Sequence, residues 1–485
     1  MNLALPDIIV ILIYFIIILY VGFFLSKKIA PHTTQKKKQN SGKPIIDFLL
    51  AGRKLSLPLF IATLVATWYG NILGMGEFIY RGGIVAWICF AFPYYIAALL
   101  FSYFVASKIR KSKVKTIPEQ MKKTYGKKVA WLSSFIVLVI TVPAAYILML
   151  GIMINLFTGW TLWLCIIIGA LLSLAYIYTG GFRADVLTNT VQFVLMYFGF
   201  AVLLYFTFSH HGSLSVMLEK LPQSFKSPFG NYSWQYILSW FLIALQTFID
   251  PGFHQRCAAA KSPGIAKRGI ALSVLFWAIF DSMTLITGLY AKAYYMTDNP
   301  IMAYPLLSDA VLPVIWKGLF VVALLATIMS TLDSYAFISA ITIGKDILKP
   351  LLKIKTNYFN KDTNSKTIIE DKTKNLIKTG LIITSLMSII LAIVLPSAVD
   401  LIYKTSSVAI PGLLAPMLIS YSKSFTLQSK KVILIIIASS GVSLLSTVLK
   451  IYFAEFKIIS QIEPMIPGII LSFILTLIFI RRVKK

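Results

Sequence analysis

Residues Leu324–Ile341 read LLATIMSTLDSYAFISAI, an apolar run long enough to lie in a bilayer that nonetheless carries Thr327, Ser330, Thr331, Asp333 and Ser334. At helical spacing Thr327, Ser330, Thr331 and Ser334 fall at i, i+3, i+4 and i+7, so four oxygen-bearing side chains line one stripe of one helix. Two readings of that stripe stand side by side. It is a cation site built from neutral oxygens, or it is a packed polar seam, since Ser and Thr often join helices inside membranes. Asp333 adds a constraint: a carboxylate in hydrocarbon is costly, so it must face a bundle interior, a partner or a water-filled cavity.

Outward from this run the whole chain has the same character. Of its 485 residues 58% are hydrophobic and 13% charged, and the mean hydropathy is +0.80, far outside the range of soluble domains. Apolar stretches near 6–26, 56–79, 83–107, 129–156, 158–179, 185–208, 233–250, 268–293, 314–343, 377–395, 398–421, 432–452 and 464–480 predict an all-α membrane protein with about 13 transmembrane helices. The net charge of +28 could suggest nucleic acid, but the cations are placed otherwise. Segments 26–55, 108–128, 253–268, 345–378, 422–431 and 481–485 hold most of the Lys and Arg, and all fall on one side if every span is crossed once. That is the positive-inside pattern, with the N-terminus outside and the C-terminus in the cytoplasm of a cell (cytoplasmic or inner) membrane.

The first run is expected to stay as an anchoring helix, because no basic residue precedes it and Lys27 and Lys28 follow it, the reverse of a cleavable signal. Cys89, Cys165 and Cys257 are scattered and read as small core residues. His32, His210, His211 and His254 offer no pair at metal spacing inside the membrane. Segment 345–378 reads as a solvated linker, and no hydrophilic stretch is long enough to bury a core of its own. One membrane domain over 1–485 is expected, without nucleic-acid or obligate protein partners.

Two spans look discontinuous. In 56–79 the sequence TWYGNILGMGEF weakens the helix at Gly70, Asn71, Gly74 and Gly76. The run 233–250 stops at Asp250-Pro251-Gly252, where Pro251 removes a backbone donor. The two breaks lie five spans apart. Interrupted helices at matching places in two five-span halves point to an inverted-repeat transporter with its binding site at the midplane.

These residues also carry a family resemblance. Gly180–Gln192, GGFRADVLTNTVQ, resembles the GG-x-x-A-x-x-x-T-D-x-x-Q signature of the sodium:solute symporter family. AGR at Ala51–Arg53, the glycine-rich break at Gly70–Gly76, QRCAAAK at Gln255–Lys261 and STLDS at Ser330–Ser334 with Asp346-Ile347 beyond it follow in the family's order. The resemblance implies the LeuT-like five-plus-five inverted repeat, with one extra N-terminal helix (6–26), repeats over 56–208 and 233–421, and two C-terminal helices over 432–480. It implies sodium-coupled symport of a small organic solute, an amino acid, carboxylate, vitamin or sugar, by alternating access. It further implies a sodium site at the carbonyls of Leu64, Thr67 and Thr327 and the hydroxyls of Ser330 and Thr331. Such neutral oxygens suit a hard cation.

The family's aspartate in the fifth-helix signature is Asn189 here, so the carboxylate on the ion's exit route is missing. Asp333, with Ser334 beside it, and Asp185, one turn before Asn189, are the candidate ion relays, and Asp185 reads equally well as a structural group at a helix N-terminus. The solute is expected between the first, sixth and tenth core helices. Trp68, Tyr69, Asn71, Gln246 and Asp250 are the candidate contacts, with Lys404 on the tenth helix; Asp281 is left without a role. An amino acid or small carboxylate fits better than a sugar, because few side chains there could bond several hydroxyls. One sodium falling through about 100 mV supplies roughly 2.3 kcal/mol, about fifty-fold accumulation of a neutral solute. The rivals are a proton-coupled symporter of the same fold, in which Asp333 relays the proton, a transporter-like sensor, and a membrane enzyme built on His254 near Asp250.

Overall fold

The computed structural model describes residues 3–28, 44–354, 363–395, 398–452 and 463–483. Apolar composition and the lack of any other partner for backbone groups in hydrocarbon make helices the obligatory solution. The only strands among the described residues are two short pieces, Phe425–Thr426 and Arg481–Arg482, paired antiparallel. The helices used below are α1 (Leu5–Tyr20), α2 (Leu57–Ala66), α3 (Ile72–Gly82), α4 (Val85–Ser112), α5 (Lys127–Thr141), α6 (Ala144–Thr158) and α7 (Leu162–His211). They continue with α8 (Trp234–Ile243), α9 (Pro251–Ala259), α10 (Pro263–Tyr294), α11 (Ala303–Val311), α12 (Trp316–Ile341), α13 (Thr363–Val394), α14 (Ala398–Ser420), α15 (Ser429–Tyr452) and α16 (Met465–Phe479).

Among the described residues nine helical stretches are long and apolar enough to cross a membrane, and four shorter apolar helices, Leu57–Ala66, Leu162–Ser173, Thr405–Ser420 and Met465–Phe479, accompany them. Each overlaps one or two of the apolar runs read from the sequence, and several, such as Val85–Ser112 and Trp234–Ala259, run past the expected ends. Large apolar side chains such as Leu12, Ile16, Leu171, Tyr205, Leu386 and Leu477 point outward, which a bilayer explains and water does not.

The helix that carries the quoted stretch, α12, is the hub. All but four of its 26 residues are buried, with α7, α13, α1 and α6 packed around it. Small residues permit the closest approach: a Cβ on Gly199 of α7 would lie 2.2 Å from that of Ala323, the small-residue packing of membrane helices. The extra N-terminal helix α1 is tied to the same hub, because Asp7 Oδ1 accepts from the backbone N–H groups of Ile315 (2.8 Å) and Gly318 (2.9 Å) and so caps α12. Within α7 the helix is kinked at Gly181 (φ 59°, ψ −149°), a conformation that only glycine adopts readily.

Both expected breaks are present. The first core helix is split into α2 and α3 around Thr67–Asn71. The sixth is α8, a tight turn over Ala244–Phe248, and then α9. Here the sequence reading is corrected: the sixth span does not end at Asp250 but runs on to Ala259, and Arg256, taken with the loop cations of 253–268, is fully buried. The polar run His254-Gln255-Arg256 disguised a helix that is buried in the bundle and bonded to it through His254 Nε2, Gln255 Nε2 and both Nη atoms of Arg256. Its end is fixed to the start of the first core helix, with Leu55 N–H donating to Ala259 O (3.1 Å) and Lys261 N–H to Leu55 O (2.9 Å).

Candidate functional site

Where α2 stops, its last carbonyls have no partner further along the helix, and the structure shows where they turn. Thr67 Oγ1 donates to Thr63 O (2.9 Å) and lies 3.2 Å from Leu64 O. Ser330 Oγ of α12 reaches across to Ala66 O (2.7 Å) and also to Thr327 O of its own helix (2.9 Å). Gly70 makes the approach possible: a Cβ there would sit 2.5 Å from Cβ of Thr331. The hydroxyl of Thr331 is buried at this junction with no hydrogen-bond partner among the described residues. The first-helix break and the α12 stripe, 264 residues apart at the Ala66–Ser330 contact, thus meet through carbonyl and hydroxyl oxygens. Leu64, Thr67, Thr327, Ser330 and Thr331 are brought together, and Ala66, whose carbonyl was not foreseen, joins them.

One turn earlier on α2, at Thr63, and one turn later on α12, at Ser334, lies a denser polar cluster. Arg256 Nη2 donates to Ser334 Oγ (2.8 Å) and Thr63 Oγ1 (3.2 Å) and stands 3.5 Å from Asp185 Oδ2. Ser334 Oγ donates to Asp185 Oδ1 (2.6 Å). Asn189 Nδ2 is within reach of Thr63 Oγ1, Asp185 Oδ1 and Ser334 Oγ at 3.0, 3.1 and 3.2 Å. Asp185, Asn189 and Ser334 therefore act as one unit whose charge is balanced by Arg256. Residue type had hidden this arginine in a loop; the QRCAAAK match was the one signal that could have found it.

Asp333 is not part of that unit. Its two carboxylate oxygens accept short hydrogen bonds from Ser173 and Tyr176, both on α7, so its pairing is with a neighbouring helix away from the break. Asp333→Asn is accordingly expected to leave any sodium-dependent stabilisation of the purified protein in place. A thermal melt in which that substitution abolished the sodium response would return Asp333 to the ion's route.

Beside the break lies a cavity of about 110 Å³ whose lining includes Trp68, Tyr69, Asn71, Gln246, Thr247, Asp250 and Asp281. Asp250 caps α9, its Oδ1 accepting from Gly252 N–H (2.7 Å) and Phe253 N–H (3.1 Å) and its Oδ2 from Tyr335 Oη (2.5 Å). Gln246 Oε1 accepts from Ser406 Oγ of α14 (2.6 Å), which brings the tenth core helix to the site. Asp281 of α10, unassigned from sequence, accepts from Tyr95 Oη (2.5 Å) and faces the same space. Lys404 lies on α14, but its side chain is outside the described residues. His254 forms no dyad with Asp250; its ring donates to Phe248 O (2.9 Å).

The profile of the sodium:solute symporter family matches residues 48–428. The chain belongs to that family. Sodium-coupled solute symport is the activity this membership carries, with sodium as the coupled ion. Among curated relatives, the sodium/glucose cotransporter of Vibrio parahaemolyticus is 25% identical over 489 residues, covering 90% of this chain and 84% of the relative. The sodium/pantothenate symporter of Haemophilus influenzae is 30% identical over 183 residues, 36% of this chain and only 37% of the relative. High-affinity choline transporter 1 of Drosophila melanogaster is 24% identical, over 80% of this chain and 62% of that one. Among solved structures, a Na+-coupled sialic acid symporter in a substrate-bound outward-open state superposes with a TM-score of 0.76 at 15% identity, covering 100% of both chains. Mhp1, a nucleobase-cation-symport-1 family transporter, gives 0.55 at 13% identity over 91% of this chain and 96% of its own. At such identities these likenesses bear on fold alone, and the fold of this family member is the expected LeuT-like one.

Proposed function

We propose that sodium binds between α2 and α12, on the carbonyls of Leu64, Thr67 and Thr327 and the hydroxyls of Ser330 and Thr331, and that a small organic solute occupies the adjoining cavity. The observation that carries this reading is the junction of Ser330 with Ala66 O beside the unpartnered, buried Thr331 hydroxyl. A neutral set of oxygens at a helix break suits a hard monovalent cation, and an orphaned hydroxyl gains a partner when the ion arrives. The ion stabilises one end of the break and the solute touches the other through Trp68, Tyr69 and Asn71. Each ligand therefore favours the arrangement the other needs, and their binding is reciprocally cooperative. Asp185, Asn189 and Ser334 stand on the ion's way out, with Arg256 as their fixed counter-charge. The distribution of Lys and Arg supports a cytoplasmic (inner) membrane location with the N-terminus outside and the C-terminus inside.

The names of the relatives range over glucose, pantothenate and choline, so family membership leaves the solute open. The reading is tested by thermal unfolding of the detergent-purified protein in sodium against potassium at equal ionic strength. A saturable rise with sodium is expected, because a ligand that binds only the folded state stabilises it by mass action. Equal stability in the two salts, with a shift that follows pH instead, would overturn sodium coupling in favour of protons.

A further inference from the structure

We propose that the solute is a small organic cation, a quaternary or protonated amine with no carboxylate of its own, held against Asp281 by the rings around Trp68. This rests on the symport reading and adds its substrate class. It replaces the sequence-based preference for an amino acid or carboxylate.

Charge is the first reason. The cavity is lined by two carboxylates, Asp250 and Asp281, and by no Lys or Arg among the described residues. Asp281 is buried and takes a tyrosine hydroxyl as hydrogen-bond donor, but forms no ion pair among the described residues. The Arg256 guanidinium stands behind Asp250, where its Nη1 donates to Gly252 O (3.3 Å), and its Nη2 is committed to Asp185. A buried carboxylate facing a cavity whose described lining holds no Lys or Arg is a site for a cation that arrives with the ligand.

The second reason is what an anionic solute would have to use. The N-terminus of a half-helix at the midplane is the usual receptor for a substrate carboxylate. In this chain Asp250 already occupies the first backbone donors of α9, those of Gly252 and Phe253. A solute carboxylate would find that seat filled and a second aspartate opposite.

The third reason is the wall. Trp68, Tyr69, Phe90, Tyr94, Tyr146 and Tyr335 supply six of the fourteen lining residues, with Trp68 and Tyr94 centred 4.9 Å apart and edge-to-face. Aromatic faces attract ammonium groups within about 6 Å, and such cages recognise quaternary ammonium. At about 110 Å³ the cavity is on the scale of a small organic molecule, since ~150 Å³ takes up benzene. Asn71 Oδ1 and Thr247 Oγ1, buried and unpartnered among the described residues, are ready to bond a hydroxyl or N–H on the cation.

The test uses the full-length purified chain in saturating sodium and compares ligands of one shape: choline, tetramethylammonium, the neutral isostere of choline with carbon in place of nitrogen, and glycine betaine. Saturable stabilisation by at least one of the two cations is expected, with the neutral isostere and betaine weaker by about tenfold or more, the order of a desolvated cation–π contact. Asp281→Asn should weaken the cation by a similar factor while keeping the sodium response, which reports that the variant is folded. Sodium stabilisation with no response to either cation, or with isostere or betaine binding as well, overturns the cation and leaves symport standing. Absence of any sodium response in the native chain overturns sodium coupling, the reading on which this one rests.

Discussion

Arg256→Met is expected to destabilise the protein by about 3–5 kcal/mol, the usual result of removing one partner from a fully buried ion pair. Arg256 and Asp185 are both 0% exposed, so neither can turn to water when the other is lost. The guanidinium links helices that are distant in the chain: Thr63 on α2, Asp185 on α7, Gly252 on its own α9 and Ser334 on α12. Polar contacts between membrane helices are on average worth less than 1 kcal/mol. The large effect expected here comes from the abandoned charge rather than from the lost hydrogen bonds. Asp185→Asn in the Arg256→Met background should therefore recover most of the stability, because it removes that charge. Arg256→Lys should fall between, keeping the charge but losing the planar fork that serves several acceptors at once. Thermal unfolding of Arg256→Met, Asp185→Asn and the double variant, beside the native chain, forms a double-mutant cycle. Additive effects of Arg256→Met and Asp185→Asn would mean that the pair is not a unit and that Arg256 acts through packing alone.

This arginine also shows where the sequence was legible and where it was not. The stripe of α12 could be read because its signal is internal to one helix: four oxygens at helical spacing in an apolar run. The breaks could be read because glycines and Pro251 act on their own backbone. Arg256 could not, because hydropathy scores a residue by type, and a buried arginine looks like a loop residue until Asp185 and Ser334 are seen beside it. The error on the length of the sixth helix has the same cause. Asp333 and Asp281 were legible as buried carboxylates but not as to what they face, since one turns to α7 and the other to the cavity. Ala66 was missed because a carbonyl carries no residue-type signal at all.

The double substitution Ser330→Ala/Thr331→Ala is expected to abolish the sodium-dependent rise in thermal stability while leaving the protein folded in potassium. The two hydroxyls play different parts. Ser330 already bonds to Ala66 O and Thr327 O, so its removal frees those carbonyls as well as deleting an ion ligand. Thr331 has no partner to lose among the described residues, so its hydroxyl costs stability when no ion is bound and contributes only when one is. Removing an unsatisfied buried polar group is near neutral or favourable, so Thr331→Ala alone should hold or slightly raise stability in potassium and yet lower sodium affinity. A merely structural role predicts the opposite order, with both variants equally weakened in both salts. A packed polar seam has no reason to respond to one monovalent cation over another. The two readings of Leu324–Ile341 therefore separate on a single comparison: the difference between sodium and potassium either vanishes when the hydroxyls go, or was never theirs.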